Sequence, residues 1–195
     1  VIDPSNAFSR LRRDKDITSP ILFGIILSWL SVLFTQIWQF FLGSAFASLF
    51  GSLEGFESFE QQPSLAAVLV ALVITPIFVV IAMFLGAGIY HLCLMVVGAT
   101  ENSPTGFEGT LKVYAYSQIA GLAAVLPLLG SFVYVIWAMV LTVIGYSTVH
   151  RTTTGKTVIA VLIPLLLCCA CAIVVAMFFG AMLSAIIAGM AQSGI

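Results

Sequence analysis

The chain has 195 residues, of which 61% are hydrophobic and 8% charged. Water-soluble domains run near about 45–50% apolar and about 25% charged, so this composition excludes an ordinary soluble surface and leaves lipid as the solvent. A net charge of −1 with only seven Lys and Arg also excludes the basic footprint of a nucleic-acid-binding protein.

Residues 1–19 read as a polar arm on the cytoplasmic side. Asp3-Pro4 combines an N-cap residue with a proline suited to the first helical turn. Two readings stand for this arm: Phe8 and Leu11, three apart, dip into the headgroup layer while Arg10, Arg12, Arg13 and Lys15 face anionic lipid, or the whole segment is a solvated charged leader. Ser19-Pro20 repeats the helix-start signal and opens a first span over about 20–43. Its apolar run Ile21–Leu42 covers about 33 Å as a helix, enough to cross a bilayer and longer than the core of a cleaved signal peptide.

In the loop 44–64, Leu53, Phe56 and Phe59 recur every three residues beside Glu54, Glu57 and Glu60. That spacing predicts a short interfacial helix with an acidic face. A second span lies over 65–98. At about 51 Å it exceeds a bilayer core, so it must tilt, kink near Pro76 or project. Gly86 and Gly88 offer a close approach to a neighbouring backbone. In the polar loop 99–112, Thr105 and Glu108 have capping-box spacing, placing the next helix start there. A third span over 112–129 is the least apolar, carrying Tyr114, Tyr116, Ser117, Gln118 and Pro127. A fourth, 131–149, follows after only Gly130-Ser131. A polar turn over 150–157 leads to a fifth span, 158–180. The fold class is therefore all-α, a polytopic bundle with a membrane domain over 20–195.

Positive charge orients this bundle. Four basic residues lie in the arm, Lys112 ends the second loop, and Arg151 and Lys156 lie in the fourth; the first loop, the connection between spans three and four, and the tail hold none. With five spans all seven share one side, which the positive-inside bias makes cytoplasmic, giving N-in and C-out.

Chemistry-bearing residues are few. His91, near the cytoplasmic end of span two, is an ionisable group inside a span and so a functional suspect, set against a neutral, hydrogen-bonded structural role. His150 at the interface is placed to meet Glu101 or Glu108, but no ligand spacing supports a metal site. Cys168, Cys169 and Cys171 lie too deep for juxtamembrane lipidation and read as small apolar packing residues. Gly180 and Ser184, with Ala185 alongside, give span five small residues at the four-residue spacing that permits close helix contact. Tyr116 reads as a headgroup anchor and Gln118 as a bond to a neighbouring helix. Thr154-Gly155-Lys156-Thr157 mimics the end of a phosphate-binding loop, but its first glycine is replaced by His150. No span contains Asp or Glu, so no catalytic residue and no cofactor site is expected.

The segment Gly86-Ala87-Gly88-Ile89-Tyr90-His91-Leu92, the run Thr110-Leu111-Lys112-Val113-Tyr114-Ala115-Tyr116-Ser117, Leu126-Pro127-Leu128-Leu129-Gly130, Trp137, Gly145-Tyr146 and His150-Arg151 together resemble the Yip1-domain family. The resemblance runs over about residues 6–180. It implies five spans with a cytoplasmic N-terminus and supplies no catalytic residues. Eukaryotic members are associated with early secretory traffic and bind Rab-type GTPases through a long N-terminal region. This arm, about 20 residues, looks more like that of short bacterial members, so GTPase binding is not carried over.

The expectation is a non-enzymatic membrane scaffold that works through a homo-oligomer or membrane-protein partners, in a bacterial inner membrane, or an ER or Golgi membrane in a eukaryote. The alternative is a small channel or transporter lined by Gln36, Thr75, His91, Gln118 and Thr142.

Overall fold

The computed structural model describes residues 4–11, 16–127 without 51–63, and 129–193; side chains are described except at 44–50, 181 and 183–193. The acidic loop helix expected around Leu53–Glu60 lies outside the described residues. Those described form six α-helices and one 3-10 segment, with no strand among them: α1 (Pro4–Leu11), α2 (Thr18–Phe50), α3 (Leu65–Val96), α4 (Gly106–Ser117), the 3-10 segment (Gln118–Val125), α5 (Gly130–Val149) and α6 (Thr154–Ser193).

Four helical stretches are long and apolar enough to cross a membrane: Thr18–Gly43, Leu65–Val96, Gly130–Val149 and Thr154–Gly180. They match four of the five predicted spans to within about four residues. The predicted third span differs. Its helix starts after Thr105, where the Thr105–Glu108 spacing places it, but at Gln118 tightens into eight residues of 3-10 helix. The reason is its polarity and its place. The rod of α4 and the 3-10 segment is packed among α2, α3 and α5, with Thr110, Lys112, Val113, Ala115, Ser117 and Ala120 all buried. Buried Lys112 is paired with Glu108 one turn earlier at 2.5 Å. Glu108 thus turns to Lys112, and the Thr105 side chain makes no capping bond.

Pro76, Pro127 and Pro164 interrupt backbone pairing, and at the first two an indole repairs it. Pro76 lies inside α3 and has no N–H to offer the Leu72 carbonyl; Trp29 Nε1 of α2 donates to that carbonyl at 2.9 Å. Pro127 likewise cannot serve the Ala124 carbonyl at the end of the 3-10 segment, and Trp38 Nε1 donates there at 3.1 Å. An orphan carbonyl in a hydrocarbon setting costs several kcal/mol, so these bonds fasten α2 to its neighbours at two heights. Gly130 follows directly: a Cβ there would stand 2.4 Å from the Ala123 carbonyl oxygen, so only glycine lets α5 start against the 3-10 segment.

The arm departs from expectation. Pro4–Leu11 is helical, but Phe8 is buried in protein, not in the headgroup layer. It reaches the core beside Val113, at a point where Gly145 leaves room for both. α6 departs in the opposite sense. Ala160 and Val161 are buried against the bundle, yet every residue from Leu165 to Gly180 is exposed, including Cys168, Cys169 and Cys171, which therefore do not pack inside the chain.

Candidate functional site

The loops after α3 and α5 meet at one end of the bundle, and the same backbone device ends both helices. At α3, Gly98 adopts φ +64; its N–H bonds to the Met95 carbonyl and the Ala99 N–H to the Leu94 carbonyl. This is a Schellman cap, whose left-handed residue favours glycine. At α5 the left-handed position is held by Arg151 (φ 51), with Thr152 N–H bonding to the Ser147 carbonyl. His150, the residue before it, is thereby turned into the bundle, where it is fully buried. Lys156 Nζ ties the start of α6 to this end by donating to the Gly98 carbonyl at 2.9 Å.

His150 does not meet Glu101 or Glu108. Its Nδ1 lies 2.6 Å from Ser103 Oγ and its Nε2 2.9 Å from Thr110 Oγ1. Thr110 Oγ1 in turn lies 2.8 Å from His91 Nδ1, so one threonine hydroxyl bridges two histidines. The protons follow by bookkeeping. Ser103 Oγ accepts from the N–H groups of Gly106 (3.1 Å) and Thr105 (3.4 Å), which leaves its own proton to donate to His150 Nδ1. His150 then donates from Nε2 to Thr110, and Thr110 donates to His91. Both rings are neutral and each bond has one donor. Burial lowers the His150 pKa to about 4, with the nearby His91 ring adding to the effect.

Aromatic rings wall the cluster. Phe107 meets His91 edge-on at 5.6 Å, and Tyr146 lies 6.2 Å from His150 and 5.8 Å from Tyr90. Thr105 Oγ1 and Tyr146 Oη are buried with no hydrogen-bond partner among the described residues. Chemically, the arrangement holds two neutral imidazoles whose hydrogen-bond partners among the described residues are hydroxyls. Among the described residues no three His, Cys, Asp or Glu side chains are grouped to hold a metal ion.

The other sequence-selected residues are dispersed. Gln118 opens the 3-10 segment and lines a cavity of about 180 Å³ with Tyr90, Tyr114, Tyr134 and Thr142. Tyr116 points the other way, its ring 5.0 Å from Phe23. Gly86 faces the Tyr114 ring, where a Cβ would come within 2.5 Å of the phenol oxygen, whereas Gly88 and Gly180 face open space. The close approach expected at Gly86 is thus to a side chain, not a backbone. Ser184 and Ala185 lie on α6 with side chains outside those described. Of the polar residues offered as a path, Thr75 and Thr142 bond back to carbonyls of their own helices. Sequence reading missed Ser103 and Thr110, because a lone Ser or Thr carries no spacing signal. It also missed Trp29 and Trp38, although the prolines that need them were visible.

No curated protein and no solved structure matches this chain. The family model of the Yip1 domain matches residues 1–177, which takes in α1, the buried histidine cluster and the four apolar helices, α6 as far as Met177. This integral membrane protein belongs to the Yip1 domain family.

Proposed function

We propose that this protein is a non-enzymatic membrane scaffold that associates with copies of itself or with other membrane proteins through the outer part of α6. The observation that carries the proposal is the sixteen-residue stretch Leu165–Gly180, exposed throughout and leading into the small residues Ser184 and Ala185. In lipid no hydrophobic force drives helices together, so association comes from close packing of such a surface. The histidine cluster has a matching role: it welds the loops around Ser103 and His150 into one rigid cytoplasmic collar that presents a fixed surface to a partner. The reading includes five crossings, with the α4 and 3-10 rod as the third. Its rise, about 34 Å from the two helix pitches, is sufficient to span a bilayer core. In this reading the arm and the basic loops lie on the cytoplasmic side of the membrane.

The native cysteines test this. Cys168, Cys169 and Cys171 are exposed on α6, so copies meeting there will form oxidative cross-links in lipid vesicles. Covalent dimers that disappear when the three are replaced by alanine, and that weaken in Ala185→Leu, support the proposal. A monomer with no cross-link in lipid would remove it.

A second reading, a path for small polar solutes, has one observation in its favour. The 180 Å³ cavity beside Gln118 and one of about 450 Å³ between α2, the 3-10 segment and α5 share Tyr134 and Val135 as lining residues. Flux through reconstituted vesicles that is abolished by Gln118→Leu would favour it over the scaffold.

A further inference from the structure

Beside α1 the structure leaves a cleft of about 630 Å³, within the range of sites that hold a small organic ligand. Its floor is apolar, made by Phe23 of α2, Ile119 of the 3-10 segment and Leu141 of α5, and its rim is α1, with Ala7 and Arg10. Arg10 is exposed on the rim, and no ion pair links it to a carboxylate among the described residues. Arg12, Arg13 and Lys15 follow it in sequence with Asp14 and Asp16 between and after them, leaving the segment 10–16 with a net charge of +2, and α1 itself contains no acidic residue. The cleft therefore has two chemically distinct ends, a hydrocarbon floor and a cationic rim.

We infer that this cleft seats an anionic phospholipid of the leaflet into which α1 is set, with an acyl chain over Phe23, Ile119 and Leu141 and the phosphate against Arg10. A zwitterionic lipid offers the same hydrocarbon but cancels its phosphate with its own ammonium, so Arg10 discriminates against it. A basic side chain at an anionic surface is worth about 1 kcal/mol, which is a factor of about five in binding. Burial of Phe8 holds α1 in place, and so makes the cleft a fixed site and not a diffuse basic patch.

The test is native mass spectrometry of the full chain, purified in detergent and offered equal amounts of phosphatidylglycerol and phosphatidylcholine with identical acyl chains. The wild type retains phosphatidylglycerol preferentially. Arg10→Gln lowers that preference about fivefold. Ala7→Trp, at an exposed position on the rim, fills the cleft without changing charge and lowers retention of both lipids, with helicity by circular dichroism confirming the fold. Equal retention of the two lipids by the wild type overturns the inference. So does an unchanged preference in Arg10→Gln, or wild-type retention in Ala7→Trp.

Discussion

Replacing Thr110 by valine keeps the shape of a fully buried side chain and deletes the hydroxyl that joins His91 to His150. Two hydrogen bonds are lost, at 2.8 and 2.9 Å, and the ring nitrogens that made them stay where water cannot easily replace it. A buried group left unsatisfied costs about 1–3 kcal/mol. His150 incurs most of this, being fully buried, and half-buried His91 less. The added methyl returns about 0.8 kcal/mol of transfer energy. The expected net loss is about 2 kcal/mol, measured by reversible unfolding in mixed SDS and detergent micelles. Thr110→Ser is the counterpart: it keeps the hydroxyl, gives up a methyl, and should cost about 1 kcal/mol. If valine proves no worse than serine, the cluster is held by packing and the hydrogen-bonded chain contributes nothing measurable.

The remaining predictions concern the same end of the bundle and the face of α3. His150 has a folded pKa of about 4 against about 6.5 in an unfolded chain, so the folded state binds fewer protons. Its stabilising neutrality is fully present above about pH 6.5 and is lost as pH falls toward 4; the melting temperature of the wild type should therefore fall more steeply over that interval than that of His150→Gln, and parallel curves would refute the assignment. Gly88→Ala, facing open space, should be neutral or stabilising by up to about 1 kcal/mol through helix propensity. Gly86→Ala, driven against Tyr114, should instead cost about 1–3 kcal/mol; similar melting temperatures for the two variants would contradict the packing described.

Hydropathy made the long helices legible because an apolar run must be helical in lipid to pair its own backbone; α3 is found at Leu65–Val96 where the sequence places 65–98. It could not say which faces are buried, since a helix bathed in lipid is apolar all round. That is why Cys168 reads as a packing residue although it is exposed; the polar arm, open to an interfacial or a solvated reading, instead buries Phe8 in the bundle. The polar segment 112–129 was legible as an anomaly, but not as a rod enclosed by its neighbours. Of the site, His91 and His150 stood out as ionisable groups in an apolar chain. Thr110, which joins them, is a residue type that sits in any helix, and only the crossing of α3, α4 and α5 gives it two partners.

The 3-10 segment is wound more tightly than the helices around it. Relaxing its eight residues to α geometry would shorten it by about 4 Å and swing its far end through about 160°. That unscrewing would pull the Ala124 carbonyl off the Trp38 indole and drag Gly130 out of its notch against Ala123. One ring nitrogen and one missing methyl thus act as a ratchet, fixing the pitch of the middle of the protein and with it the distance between its two ends.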